Sequence, residues 1–91
     1  MSVSVRVPTI LRPYTQGVSE VSAEGSTLIE VLDSLDGSYP GIKGRVLDES
    51  GELRRFVNVY VGNDDVRFLD SLDTSTPEGA QVSVIPAVAG G

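Results

Sequence analysis

The chain has 91 residues, which allows one domain with one modest hydrophobic core. It contains no cysteine and no histidine, which excludes disulfides, thiolate or imidazole metal sites, and every catalytic mechanism built on either side chain. Thirteen acidic against seven basic residues give a net charge of −6, which disfavours nucleic acid and anionic membranes as partners. These exclusions argue against an enzyme, and the acidity would suit a basic protein surface.

The first residues predict a β-hairpin. Val3, Val5 and Val7 alternate with polar residues, which is the period of a half-buried strand, and Pro8 ends it. Residues 9–16 predict an irregular connection, and a weaker strand follows over residues 18–23. No apolar run approaches the length of a membrane span, and residues 1–7 lack the apolar core of a signal peptide, so we expect a cytoplasmic protein.

One main helix is predicted over residues 27–36. Thr27 and Glu30 have the spacing of a capping box, and Gly37 suits the position just after a helix. Between them lies an apolar stripe at helical spacing, formed by Leu28, Val31, Leu32 and Leu35. Residues 42–50 contain enough apolar side chains for a single further helical turn against the core.

Three more strands are predicted after the helix, over residues 56–61, 66–68 and 81–85. In residues 56–61 the valines share one face, which we expect to meet the helix. Phe56 and Tyr60 share the other face, with Phe68 near them; these three either complete the core or form a docking surface for a partner, and we favour the docking surface.

The order β-β-α-β-β-β predicts an α+β fold of the β-grasp (ubiquitin-like) kind, a five-stranded mixed sheet with the helix across one face. The last strand is apolar, so it belongs inside the sheet beside the first strand. The domain then covers residues 1–86, and residues 87–91 form a flexible tail that projects from the end of the sheet.

The tail has a distinctive composition. Ala87, Val88 and Ala89 carry no charge and no large side chain, and Gly90 and Gly91 carry no side chain at all. Five extended residues reach about 17 Å, enough to enter a narrow channel and present a carboxylate to a partner's active site. The alternative interpretation is a frayed end without function.

The sequence resembles the ubiquitin-like sulfur carrier proteins, the MoaD/ThiS family. The resemblance lies in residues 7–13 (Val-Pro-Thr-Ile-Leu-Arg-Pro), residues 55–61 with 65–68, and residues 85–91 with the Gly-Gly end. Branches of this family serve molybdopterin synthesis, thiamine thiazole synthesis and a thiocarboxylate-dependent route to cysteine. Residues 7–13 and residues 55–61 with 65–68 favour the cysteine branch.

The resemblance implies a mechanism centred on Gly91. An E1-like enzyme would use ATP and Mg²⁺ to adenylate the Gly91 carboxylate, and a sulfur donor would convert the adenylate into a thiocarboxylate. Gly90 would allow close approach, and Ala87, Val88 and Ala89 would line the partner's channel. The chain would then be a protein cosubstrate, monomeric in transient complexes, and not a catalyst.

In the cysteine branch the resemblance implies two further partners. A pyridoxal-phosphate-dependent synthase would offer an aminoacrylate derived from O-phosphoserine to the thiocarboxylate sulfur. An S-to-N acyl shift would leave cysteine linked to Gly91, and a metalloprotease would release it. ATP, Mg²⁺ and pyridoxal phosphate belong to these partners, and we expect the chain itself to bind no cofactor and no metal.

Several alternatives stay open at this stage. The carrier could serve molybdopterin or a thiolated secondary metabolite instead of cysteine. A ubiquitin-like modifier conjugated to lysines of other proteins would need the same activated Gly91. A plain β-grasp interaction module would use its sheet face and would not need Gly91.

Overall fold

The computed structural model describes residues 2–86, which form a five-stranded mixed sheet with one long helix packed across it. The strands are β1 (Ser2–Arg6), β2 (Glu20–Glu24), β3 (Val57–Val61), β4 (Asp64–Asp65) and β5 (Gln81–Pro86). The α-helices are α1 (Leu28–Ser38) and α2 (Lys43–Val46), and 3-10 helices span Thr9–Thr15, Val66–Phe68 and Ser71–Asp73. None of the helices within residues 2–86 is long and apolar enough to cross a bilayer.

The strand order across the sheet is β2-β1-β5-β3-β4. β1 runs antiparallel to β2 and parallel to β5, and β3 runs antiparallel to both β5 and β4. The hairpin and the central position of the last strand, beside the first, are therefore confirmed. Within the sheet, β1 and β5 each bury one set of side chains and leave the alternate set less covered, as the alternation in the sequence predicts.

The core lies between the sheet and α1. The valines of the central strands alternate into it, and the helix stripe is completely covered by them; the buried set includes Val3, Val5, Val59, Val82, Leu28, Val31, Leu32 and Leu35. Val46 in the short helix α2 and the two residues that flank this helix, Ile42 and Leu47, are also part of the core. The predicted single helical turn within residues 42–50 is thus confirmed.

The connection between β1 and β2 is more regular than predicted. Residues Thr9–Thr15 form a 3-10 helix that buries Leu11 and Thr15. The Thr15 hydroxyl donates to the carbonyl oxygen of Val18 (2.8 Å), and Gln16 takes a left-handed φ of 57° as the chain reverses. A segment this short has too few turns for helical periodicity to be visible in the sequence.

The start of α1 differs from the predicted capping box. Thr27 is the N-cap residue, but its side chain makes no capping hydrogen bond. Glu30 Oε1 accepts from the backbone N–H of Ser26 (2.8 Å), one residue earlier than predicted. Thr27 instead lies in a β-bridge opposite Ser75, in which Leu28 N–H donates to the Thr74 carbonyl oxygen (3.0 Å) and Thr76 N–H to that of Ser26 (2.9 Å). These two bonds fix how the chain enters the helix.

The predicted end of α1 at residue 36, with Gly37 just after it, is wrong, because the helix continues to Ser38 and Gly37 lies inside it. The left-handed residue of this turn is Gly41, with a φ of 98°. Asp36 Oδ1 accepts from the backbone N–H groups of Gly41 (3.0 Å) and Lys43 (3.2 Å), and this shifts the reversal past the helix end.

The predicted strand over residues 66–68 is also wrong. The strand is Asp64–Asp65, and Val66–Phe68 is a 3-10 turn. Asp65 Oδ1 accepts from the backbone N–H of Arg67 (2.9 Å), and such a local side-chain bond competes with strand pairing. Phe56 lies in the turn before β3, outside the strand predicted to contain it.

Candidate functional site

The candidate site is the carboxyl end of β5, from which the chain continues towards Gly91. β5 is bonded on one side to β1 and on the other to β3, so its position is fixed from both edges. Its last described pairs are Ile85 with Asn58 and Pro86 with Val57. Pro86, which the sequence predicts to follow the strand, is instead its last described residue and pairs with Val57.

The residues predicted to carry the chemistry lie outside the described part of the chain. They are the channel-lining residues Ala87, Val88 and Ala89 and the terminal pair Gly90 and Gly91. Their roles stay predictions, as does the division between a domain ending at residue 86 and a tail. The structure describes β5 and its neighbours β1 and β3, which precede these residues and which we call the platform.

Two cavities flank the end of β5 and share Val84 as a lining residue. The first has a volume of about 430 Å³ and lies where β1 and β5 end and β2 begins. Its polar wall contains the side chains of Arg6, Arg12 and Glu20. Arg12 Nε donates to the carbonyl oxygen of Val7 (3.2 Å), which holds this guanidinium against the end of β1.

The second cavity, which we call the apolar groove, has a volume of about 240 Å³. Its apolar lining includes Ile10, Leu11, Phe56, Val57, Val84 and Pro86. Two arginines complete it, and each is held by a defined contact. Arg54 donates from Nε (3.1 Å) and Nη2 (2.8 Å) to the carbonyl oxygen of Gly44, and the Arg45 guanidinium lies 6.0 Å from the centroid of the Tyr14 ring.

The three aromatic residues predicted to form a docking surface occupy different surroundings. Phe56 is 51% exposed and lines the apolar groove beside the core residue Val84. Tyr60 is half-buried in β3 and alternates to the sheet face opposite the helix. Phe68 is 87% exposed on its 3-10 turn. The docking surface stays a prediction, and Phe56 lines the groove on the helix side of the sheet.

Acidic residues are numerous, but no three of them within residues 2–86 are grouped so that they could hold a metal ion. The arginines around the end of β5 are the feature that sequence reasoning missed. In the sequence, Arg12 is interpreted as part of a loop anchor, and Arg54 with Arg55 either steers an acidic partner or forms a solvated pair. No sequence pattern groups these arginines with Arg6 and Arg45, because the four residues are far apart along the chain. Only the parallel pairing of β1 with β5 brings Arg6 to the end of the last strand.

A mixed sheet with β1 and β5 parallel at its centre and a helix across one face defines a ubiquitin-like β-grasp protein, the class predicted from the sequence. The model of the ThiS family matches residues 5–91. The chain belongs to the ThiS family.

Individual relatives agree with this assignment. The chain is 50% identical over 93 aligned residues to the sulfur carrier protein CysO of Mycobacterium tuberculosis, and the match covers 100% of both proteins. It is 41% identical over 68 residues to small archaeal modifier protein 3 of Haloferax volcanii, covering 75% of this chain and 73% of that protein. The structure matches a chain of the crystal structure of the Amycolatopsis orientalis BexX/CysO complex with a TM-score of 0.92 at 44% identity, covering 98% of this chain and 99% of that one.

Proposed function

We propose that the chain is a sulfur carrier whose Gly91 carboxylate is converted into a thiocarboxylate. The observation that carries this proposal is the 50% identity to the sulfur carrier protein CysO over the whole of both proteins, with a family match that extends through residue 91. In this role the chain is a protein substrate of its partner enzymes, acting in the cytoplasm, and not a catalyst.

The chemistry explains why a separate activating enzyme is needed. A carboxylate is a poor acyl donor, because oxide would have to leave. Attack of the carboxylate oxygen on the α-phosphorus of ATP releases pyrophosphate and gives an acyl-adenylate, with Mg²⁺ held by the enzyme. A persulfide sulfur of the sulfur-donating enzyme then displaces AMP, and a second thiol cleaves the resulting acyl disulfide, forming a disulfide and freeing the thiocarboxylate.

The body of the chain supports this role in two ways. β5 holds the departing chain at the centre of the sheet, so the carboxyl end starts from a fixed point. The sequence contains no cysteine, so no side-chain thiol of the carrier competes for its own adenylate. The sulfur is carried on the main chain instead.

We propose cysteine synthesis from O-phosphoserine as the first pathway served. The thiocarboxylate would donate its sulfur to a synthase that contains pyridoxal phosphate, and a metalloprotease would release the cysteine formed on the carboxyl end. Molybdopterin formation and transfer to a thiolated secondary metabolite are the competing acceptors. The similarity to CysO, along the full length, favours the first.

The decisive experiment is reconstitution. The purified chain would be incubated with the E1-like enzyme, ATP and a persulfide donor, and its intact mass should rise by the exchange of one oxygen for sulfur. The product would then be offered separately to the O-phosphoserine-dependent synthase and to the large subunit of a molybdopterin synthase. We expect a cysteine adduct with the first and no reaction with the second.

The matched variant lacks Gly91, with urea unfolding used to show that its fold is unchanged. It should gain no sulfur. Sulfur transfer from this variant would contradict the proposal, and product formation only with the molybdopterin enzyme would reassign the pathway while leaving the carrier role intact.

A second candidate function is conjugation to other proteins, favoured by the 41% identity to small archaeal modifier protein 3. Both functions require an activated Gly91, so deletion of that residue does not separate them. Intact-mass and peptide analysis of the protein from its own cells does. Isopeptide adducts on lysines of other proteins would support the modifier, and a thiocarboxylate without such adducts would support the carrier.

A further inference from the structure

The end of the molecule from which β5 leaves is basic, although the protein as a whole is acidic. Four of the six arginines line the two cavities beside the end of β5: Arg6, Arg12, Arg45 and Arg54. Glu20 is the one acidic residue among the described lining residues of these cavities. Its carboxylate already accepts from Gln81 Nε2 (2.9 Å). The local excess of positive charge is therefore opposite in sign to the net charge of −6.

These arginines lack carboxylate partners in the described part of the chain, where the ion pair formed is that of Lys43 with Asp33. Two of the four are positioned by neutral carbonyl oxygens, Arg12 by Val7 and Arg54 by Gly44. Arg45 is positioned over a tyrosine ring. Such contacts order the guanidinium groups without neutralising them, and each group keeps free N–H donors.

We propose that Arg6, Arg12, Arg45 and Arg54 form a basic collar that docks on an acidic rim around the active-site entrance of the activating enzyme. This inference rests on the proposed function, because the collar surrounds the point from which the chain runs to Gly91. Opposite charges steer encounter and fix orientation. An acidic carrier with one basic end would approach such an enzyme with its carboxyl end first.

A protein surface fits this region better than a small anion. The arginines of the apolar groove stand beside exposed apolar side chains, with Ile10 67% and Phe56 51% exposed. A bound phosphate would leave these side chains in water, whereas a partner surface with acidic and apolar residues would cover both. The preorganised guanidinium groups match carboxylates by two parallel hydrogen bonds.

The test compares two double variants that lower the net charge equally. Arg6→Gln/Arg45→Gln removes two charges from the collar, at exposed residues that make no side-chain hydrogen bond among residues 2–86. Lys43→Gln/Ser50→Glu makes the same change of two units at residues that line neither cavity beside the end of β5. Lys43 shares α2 with Arg45 but lines a separate cavity with Asp36 and Asp48. The readout is pyrophosphate release by the activating enzyme, as kcat and KM for the carrier at low and high ionic strength.

We expect the collar variant to raise KM about tenfold at low salt with kcat unchanged, a difference that shrinks as salt increases. The control should stay within about twofold of the unmodified chain, because net charge alone acts weakly. If the unmodified chain is adenylated in the same assay, equal KM values for the two variants would overturn the collar. Binding of free pyrophosphate to the carrier would also be measured without the enzyme. If the collar variant lost only this binding and kept the KM of the unmodified chain, the region would be a small-anion site and the collar would be overturned. An unmodified chain that is never adenylated would refute the proposed function itself.

Discussion

Among the glycines within residues 2–86, Gly25 is the one at which an added side chain would collide with the backbone of another residue. It lies between β2 and α1, and a Cβ built there would stand 2.6 Å from the backbone nitrogen of Val31 and 2.9 Å from the carbonyl carbon of Glu30. The carbonyl oxygen of Gly25 accepts from the hydroxyl of Thr76, which is completely buried (3.1 Å). The loop before β5 thus holds the entrance of the helix through this glycine.

We predict that Gly25→Ala lowers the free energy of unfolding by about 2 kcal/mol, because the obstructing atoms are backbone and must move. The matched control is Gly37→Ala inside α1, where a Cβ would meet nothing within 4 Å. It should raise the free energy of unfolding by roughly 0.5–1 kcal/mol, since alanine is the better helix former. Urea unfolding followed by circular dichroism measures both, and effects of the same sign would refute this account.

At the scale of secondary-structure elements, the carboxylates of Asp33 and Asp36 in α1 make different kinds of contact with the segment that follows the helix. Asp36 binds two backbone N–H groups of the following segment, those of Gly41 and Lys43, and so fixes where α2 begins. Asp33 meets the Lys43 ammonium group at the surface. The first interaction organises a chain reversal, whereas the second joins two solvated side chains.

We therefore predict that Asp36→Ala costs about 1–2 kcal/mol of unfolding free energy, because it removes a charged acceptor from two backbone donors. Asp33→Ala should cost at most about 0.5 kcal/mol, as expected of an exposed ion pair. Thermal unfolding of the two variants under identical salt tests the contrast. Equal losses would show that the exposed ion pair contributes as much as the Asp36 hydrogen bonds, which would contradict this account.

The elements that could be predicted from sequence are those that bury one face. Alternating valines fixed the central strands, and the leucine stripe fixed the helix, because each pattern reflects burial of a whole face. The errors occur where one polar side chain decides the backbone, at Asp65 and Asp36, since hydrogen bonds of this kind leave no periodic trace. The collar was missed for a related reason: its arginines come from four separate segments that only the tertiary fold brings together.

At the scale of the whole molecule, we expect the free energy of local opening to be highest at the centre of the sheet and to fall towards its edges. β5 pairs with neighbours on both sides, and Val82 and Val84 are buried. β4 has two residues at the edge of the sheet, and the turn that follows leaves Phe68 and Leu69 exposed. Local opening at this edge breaks few contacts.

We predict that the amides of Val82 and Val84 exchange hydrogen only through global unfolding, whereas that of Leu69 exchanges at least about a hundredfold faster by local opening. Hydrogen exchange followed by nuclear magnetic resonance at increasing urea separates the two routes. If the β5 amides exchanged as fast as Leu69, the platform at the carboxyl end would not be the rigid part of the molecule.

The parallel pairing of β1 with β5 also determines how the protein responds to force. A pull on the chain beyond Pro86 acts along the length of β5, against hydrogen bonds to β1 and β3 at the same time. Such a load shears two ladders together, which resists far better than peeling an edge strand one bond at a time. A tensile load on the carboxyl end would therefore have to break both ladders of β5 before the body of the protein unfolds.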